Sequence, residues 1–86
     1  MRIVGRTERF KKMYKRLSPP DRARVDAALL KLATDPWHPS LRTGKLEPKE
    51  RGIWYCRASR TLRIMFSLDG DDATLRTVGP HSILDR

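Results

Sequence analysis

The hydrophobic period changes once along this chain, from the ~3.6 of a helix to the ~2 of a strand, and that change restricts the folds open to it. From Thr7 the apolar residues recur at helical spacing. Phe10, Met13, Tyr14 and Leu17 make one stripe, and Val25, Ala28, Leu29 and Leu32 make another. Ser18-Pro19-Pro20-Asp21 separates them. Ser18 is a capping residue, prolines are tolerated in a first turn, and Asp21 stands where a capping box puts its acid. Thr34-Asp35-Pro36 ends the second stripe, because a residue before proline disfavours helix. The spacing therefore predicts two amphipathic helices joined as a hairpin.

After a turn-rich loop from Pro36 to Gly44 the alternation begins. Trp54, Cys56 and Ala58 alternate with Tyr55 and Arg57, and Leu62, Ile64, Phe66 and Leu68 with Arg63, Met65 and Ser67. Asp69-Gly70-Asp71 is a hairpin turn signal. Ala73, Leu75 and Thr77 form a weaker last strand with Arg76 on its other side, and Met1 to Gly5 suits an edge strand. The order is strand, two helices, then hairpin-linked strands, an α+β class. The apolar strand sides must meet the helical stripes, which leaves Tyr55, Arg57, Arg63, Met65 and Arg76 on an open face.

At 86 residues the chain reads as one domain, 1–86, with a thin core. It carries 19 Lys+Arg against 10 Asp+Glu, a net charge of +9. Such an excess concentrates phosphate polymers near a protein. The expected partner is a nucleic acid, RNA before others, with an acidic protein second and a membrane surface last. No apolar run approaches the ~20 residues of a spanning helix. The N-terminus lacks the apolar core of a secretory signal, so the expected location is cytoplasmic. Cys56 is the only cysteine. It falls in an apolar alternation and reads as buried core. His38 and His81 have no metal-ligand spacing, and neither a metal nor a cofactor is expected.

Cleaving RNA without a metal takes a base for the 2′-hydroxyl proton, an acid for the leaving 5′-oxygen and cations for the phosphate. His81 follows the last strand in Val78-Gly79-Pro80-His81, and an imidazole suits proton transfer near neutrality. Glu47, in Lys45-Leu46-Glu47-Pro48, is the best carboxylate. A surface loop histidine and a solvated charge partner are the alternative readings of these two. Arg57 and Arg63 fall on adjacent strands with the same facing, and two close arginines repel unless an anion sits between them. Further RNA contacts are expected from Arg42, Lys45, Lys49, Arg51, Arg60 and Arg76, with Tyr55 for base stacking.

The segments Gly44-Lys45-Leu46-Glu47-Pro48, Gly52-Ile53-Trp54-Tyr55-Cys56-Arg57, Leu62-Arg63-Ile64-Met65-Phe66 and Val78-Gly79-Pro80-His81 resemble the bacterial RelE/ParE toxin superfamily, most closely its YoeB-like ribonuclease branch. The Asp35-Pro36-Trp37-His38-Pro39-Ser40-Leu41-Arg42 loop fits too. The resemblance implies an N-terminal strand and helical hairpin packed on one face of a twisted, mostly antiparallel sheet. It implies cleavage of messenger RNA in the ribosomal A site and neutralisation by a cognate antitoxin with an acidic, partly disordered segment. It assigns Glu47 as general base, His81 as general acid, Arg63 to the scissile phosphate and Arg57 as a supporting arginine. Ser82-Ile83-Leu84-Asp85-Arg86 holds no tyrosine where members of the family often carry one, which leaves stacking to Tyr55. A ParE-like gyrase inhibitor and a non-catalytic RelE-like binding module are the alternatives.

Overall fold

Both helical stripes become helices and the alternating segments become one sheet in the computed structural model, which describes residues 1–46 and 52–80. The order is β1 (Arg2–Arg6), α1 (Glu8–Lys15), α2 (Pro19–Thr34), a 3-10 turn (Pro39–Leu41), β2 (Gly44–Lys45), β3 (Ile53–Arg57), β4 (Leu62–Asp69) and β5 (Asp72–Pro80). The sheet order is β1-β5-β4-β3-β2. β1 runs parallel to β5 and every other pairing is antiparallel.

Caps set the helix starts. The Ser18 hydroxyl accepts from Asp21 N, and the Asp21 carboxylate accepts from Arg24 Nη1 at 2.8 Å. The join between helices is closed by Arg22, whose Nη1 donates to Leu17 O at 2.6 Å, and by Tyr14, whose hydroxyl donates to Asp26 at 2.7 Å. That hydrogen bond, with some burial, holds the Tyr14 phenol above its ordinary pKa. Between β4 and β5 the turn is Gly70-Asp71, with Gly70 at φ 62°. A positive φ at the first central position is what a two-residue hairpin of this kind requires, and glycine adopts it without strain.

The core lies between the helices and one sheet face. Phe10, Val25, Ala28 and Leu32 meet Cys56, Leu62, Ile64, Phe66, Ala73, Leu75 and Val78, all buried. Two features were not anticipated. β2 is only two residues long, too short to carry a period. β5 contains a bulge: Met65 pairs with Thr77 and Phe66 with Leu75, so Arg76 is the extra residue. An added residue reverses the alternation beyond it. Thr77, expected beside Leu75 on the helix side, therefore lies opposite Met65, and Val78 takes the core position. The bulge also frees the Arg76 carbonyl, which accepts from Thr7 Oγ1 at 2.8 Å while that same oxygen accepts from Phe10 N at 3.1 Å. One hydroxyl thus joins the start of α1 to β5.

Thr7→Val keeps the shape and removes both bonds. Urea denaturation should show a loss of about 1–3 kcal/mol; an unchanged midpoint would mean that the cap is replaced by water at no cost. Burial pushes the Cys56 thiol up to about 12 from 9.0. The unfolded chain then releases a proton between pH 9 and 12 that the folded chain keeps, so stability falls as pH rises through that window. Wild type should lose stability there more steeply than Cys56→Ala in equilibrium denaturation, and parallel pH profiles would refute the assignment.

Candidate nucleic-acid interface

The sheet face turned away from the helices carries the polar half of each alternation. Register places Tyr55 opposite Met65 and Arg57 opposite Arg63 on β3 and β4, and β5 adds Thr77 beside Met65 and Gly79 beside Arg63. Directly opposed residues of an antiparallel pair have Cα atoms only ~4.5–5.5 Å apart, and like charges there are unfavourable. Part of that cost is offset locally. Arg63 Nη1 donates to the carbonyls of Ser59 at 3.0 Å, Arg60 at 3.2 Å and Leu62 at 3.1 Å. Three carbonyl dipoles at the β3–β4 turn therefore hold the guanidinium. Its Nε and Nη2 have no hydrogen-bond partner among the described residues, and these are the groups that an anion can use. The ion pairs among the described residues engage the N-terminus, Arg2, Lys11 and Arg24, and none involves Arg57 or Arg63.

Tyr55 is positioned by a glycine. It pairs with Gly44 across β2–β3, and a Cβ built on Gly44 would lie 2.7 Å from the Tyr55 hydroxyl oxygen. The phenol end of the ring therefore fills the space that a side chain at Gly44 would take. On the same face the Thr77 hydroxyl is buried without a hydrogen-bond partner among the described residues. A buried polar atom of this kind gains from a polar ligand.

The other sequence-based candidates scatter. Arg60 is exposed at the β3–β4 turn and contributes its carbonyl to Arg63. Lys45 lies opposite Trp54, on the other side of the sheet from Tyr55. Arg76, expected on the open face, is the exposed bulge residue, because the bulge takes it out of the cross-strand pairing. Arg42 ends the 3-10 turn in a left-handed conformation, φ 47°. Glu47, Lys49, Arg51 and His81 lie outside the described residues. The flanks of their segments are placed. Leu46 N donates to Ile53 O at 2.9 Å, four residues along β3 from Arg57, which is ~13 Å of strand. Pro80, the neighbour of His81, pairs with Leu62 beside Arg63.

One cationic groove was missed. It lies between α2, the 3-10 turn and the β3–β4 turn, and Arg24, Lys31, Arg42 and Arg57 line it. Arg24 and Lys31 stand seven residues apart on one helix, a same-face spacing visible in the sequence. Among the described residues no three His, Cys, Asp or Glu side chains come together as a metal site, and no helix is long and apolar enough to cross a membrane.

No protein-family model matches the chain, and no curated protein sequence matches it. Its structure is similar to solved toxins. YafQ from E. coli strain BL21(DE3) is 14% identical with a TM-score of 0.80, over 98% of both chains. The RelB–RelE antitoxin–toxin complex from Methanococcus jannaschii matches at 20% identity and TM-score 0.75, over 95% of this chain and 96% of that one. The YoeB dimer from Staphylococcus aureus matches at 13% identity and TM-score 0.75, over 94% of this chain and 99% of that one. What is shared at these identities is the fold, and the α+β fold of this chain is RelE-like.

The Gly44–Tyr55 contact is directly testable. The Gly44 Hα proton resonances should be displaced by the ring current in NMR spectra and return to ordinary values in Tyr55→Leu. Ordinary shifts in the wild type would show that the ring does not lie on the strand.

Proposed function

We propose that this chain is the toxin of a toxin–antitoxin pair, and that its open sheet face cleaves messenger RNA on the ribosome by general acid–base catalysis. The observation that carries the proposal is the register-opposed pair Arg57 and Arg63 on the exposed side of the sheet. A phosphate between them turns a repulsion into two charge-assisted contacts. The shared fold with YafQ, RelE and YoeB supports this reading over the gyrase-inhibitor alternative.

In this mechanism Glu47 takes the 2′-hydroxyl proton. The 2′-oxygen forms a bond to phosphorus as the bond to the 5′-oxygen breaks. His81 donates its proton to that leaving oxygen, giving a 2′,3′-cyclic phosphate and a free 5′-hydroxyl. Arg63 and Arg57 hold the non-bridging oxygens while charge builds on them. Tyr55 offers its ring to a base beside the cut. Gly79 opposite Arg63, two residues before His81 in sequence, supports the pairing of acid and phosphate holder. Its inhibitor is an antitoxin whose acidic, partly disordered segment meets the +9 chain. The Methanococcus jannaschii RelE was solved in complex with an antitoxin, RelB.

Primer extension on a messenger RNA in a reconstituted translation system tests this, using protein freed of antitoxin. Cuts should appear only when ribosomes are present, and His81→Ala should reduce them by about 10²–10⁴-fold. An undiminished rate in that variant removes the acid role, and intact messenger RNA in both lanes removes the enzyme.

A further inference from the structure

We propose that the groove between α2, the 3-10 turn and the β3–β4 turn is a second phosphate-binding track, which holds the RNA strand where it leaves the open face. The inference deepens the RNA reading above and rests on it. The groove has a volume of about 550 Å³ and carries four cations, Arg24, Lys31, Arg42 and Arg57, with the hydroxyls of Ser40 and Ser59 between them. Lys31 Nζ already reaches Ser40 Oγ at 3.2 Å. No carboxylate lines the groove among the described residues, and Asp21 reaches its edge through Arg24 at 2.8 Å.

Arg57 makes the groove continuous with the cleavage face. It lines this groove and is also paired in register with Arg63. A strand whose phosphate sits between the two arginines therefore meets further cations by turning round the end of β3. Arg42 ends the 3-10 turn as its left-handed cap, φ 47°, a conformation that glycine adopts without strain. Arg42→Gly therefore removes a cation from the groove while easing the backbone.

The lining between the cations is aliphatic, from Ala28, Leu41 and Ala58. No aromatic ring lines the groove among the described residues. Such a surface takes up ribose and phosphate and reads no base edges, so the groove should bind without sequence preference.

Fluorescence anisotropy with labelled single-stranded RNA distinguishes the groove from the cleavage face. A trinucleotide covers the open face alone, and a mixed-sequence dodecamer is long enough to reach the groove. Arg24→Gln/Lys31→Gln should leave trinucleotide affinity unchanged and weaken the dodecamer roughly tenfold. Its dodecamer salt slope should fall by about 1.4, at ~0.7 for each of two phosphates. Arg42→Gly should raise Tm and yet weaken dodecamer binding, an outcome that damage to the fold cannot imitate. Lys12→Gln/Lys15→Gln on α1 is the charge-matched control and should change neither probe. Equal dodecamer affinity in wild type and Arg24→Gln/Lys31→Gln overturns the proposal. So does a double variant that loses binding to an oligoglutamate peptide while keeping the dodecamer, which would make the groove a docking site for an acidic protein segment. Arg63→Gln reports on the cleavage face separately: it should weaken both RNA lengths, and if it weakens neither, the RNA reading of the open face fails, whatever the groove does.

Discussion

The β3–β4 register is the constraint on which both the core and the candidate site depend. With Trp54 opposite Phe66 and Cys56 opposite Ile64, the apolar side chains of two strands face the helices together. The same register puts Arg57 opposite Arg63 on the other side. A slip of β3 by one residue would turn Cys56 toward solvent and Arg57 into the core. Core burial thus enforces a like-charge contact that the sheet would not otherwise favour. The carbonyls of Ser59, Arg60 and Leu62 meet Arg63 at that point. The buried apolar face and the opposed arginines on the other come from a single pairing.

The fold was legible where a long period dictates it. Phe10 and Val25 begin the two helical stripes, and both are fully buried. The Leu62–Leu68 alternation gave the facing of Arg63 because nothing interrupts β4. Legibility ended where local geometry overrides period. Arg76 and Thr77 were misplaced because a bulge leaves no mark in composition, and β2 is too short to show an alternation. Within the candidate site the Arg57–Arg63 adjacency followed from strand facing and a short turn. The cationic groove did not, since it depends on bringing α2 beside the end of β3, which is a tertiary contact. Nothing in the sequence pattern singles out Arg24 and Lys31. Glu47 and His81 lie outside the described residues, so their roles stand on the resemblance and on the proposed chemistry.

Cationic surface and thin core have a common consequence. A chain of 86 residues with a net charge of +9 repels itself, and among the described residues Phe10 and Phe66 are the two aromatic rings fully buried in the core that opposes this. Any polyanion that spans the open face and the groove should stabilise the folded chain by binding it in preference to the unfolded one. An acidic antitoxin segment and an RNA strand would both do so. Under the proposed function, competition between them for one set of arginines would inhibit without any conformational switch.

The central claim is that Arg57 and Arg63 share one phosphate. A double-mutant cycle on Arg57→Gln and Arg63→Gln, read by stability with and without a saturating trinucleotide RNA, tests it most directly. In the free protein the coupling should be repulsive, so that the double variant is less stable than the two single effects predict. With RNA bound the sign should reverse, as both arginines grip one anion. A coupling that is the same in both conditions would contradict the shared phosphate and reduce the two residues to neighbouring surface charges.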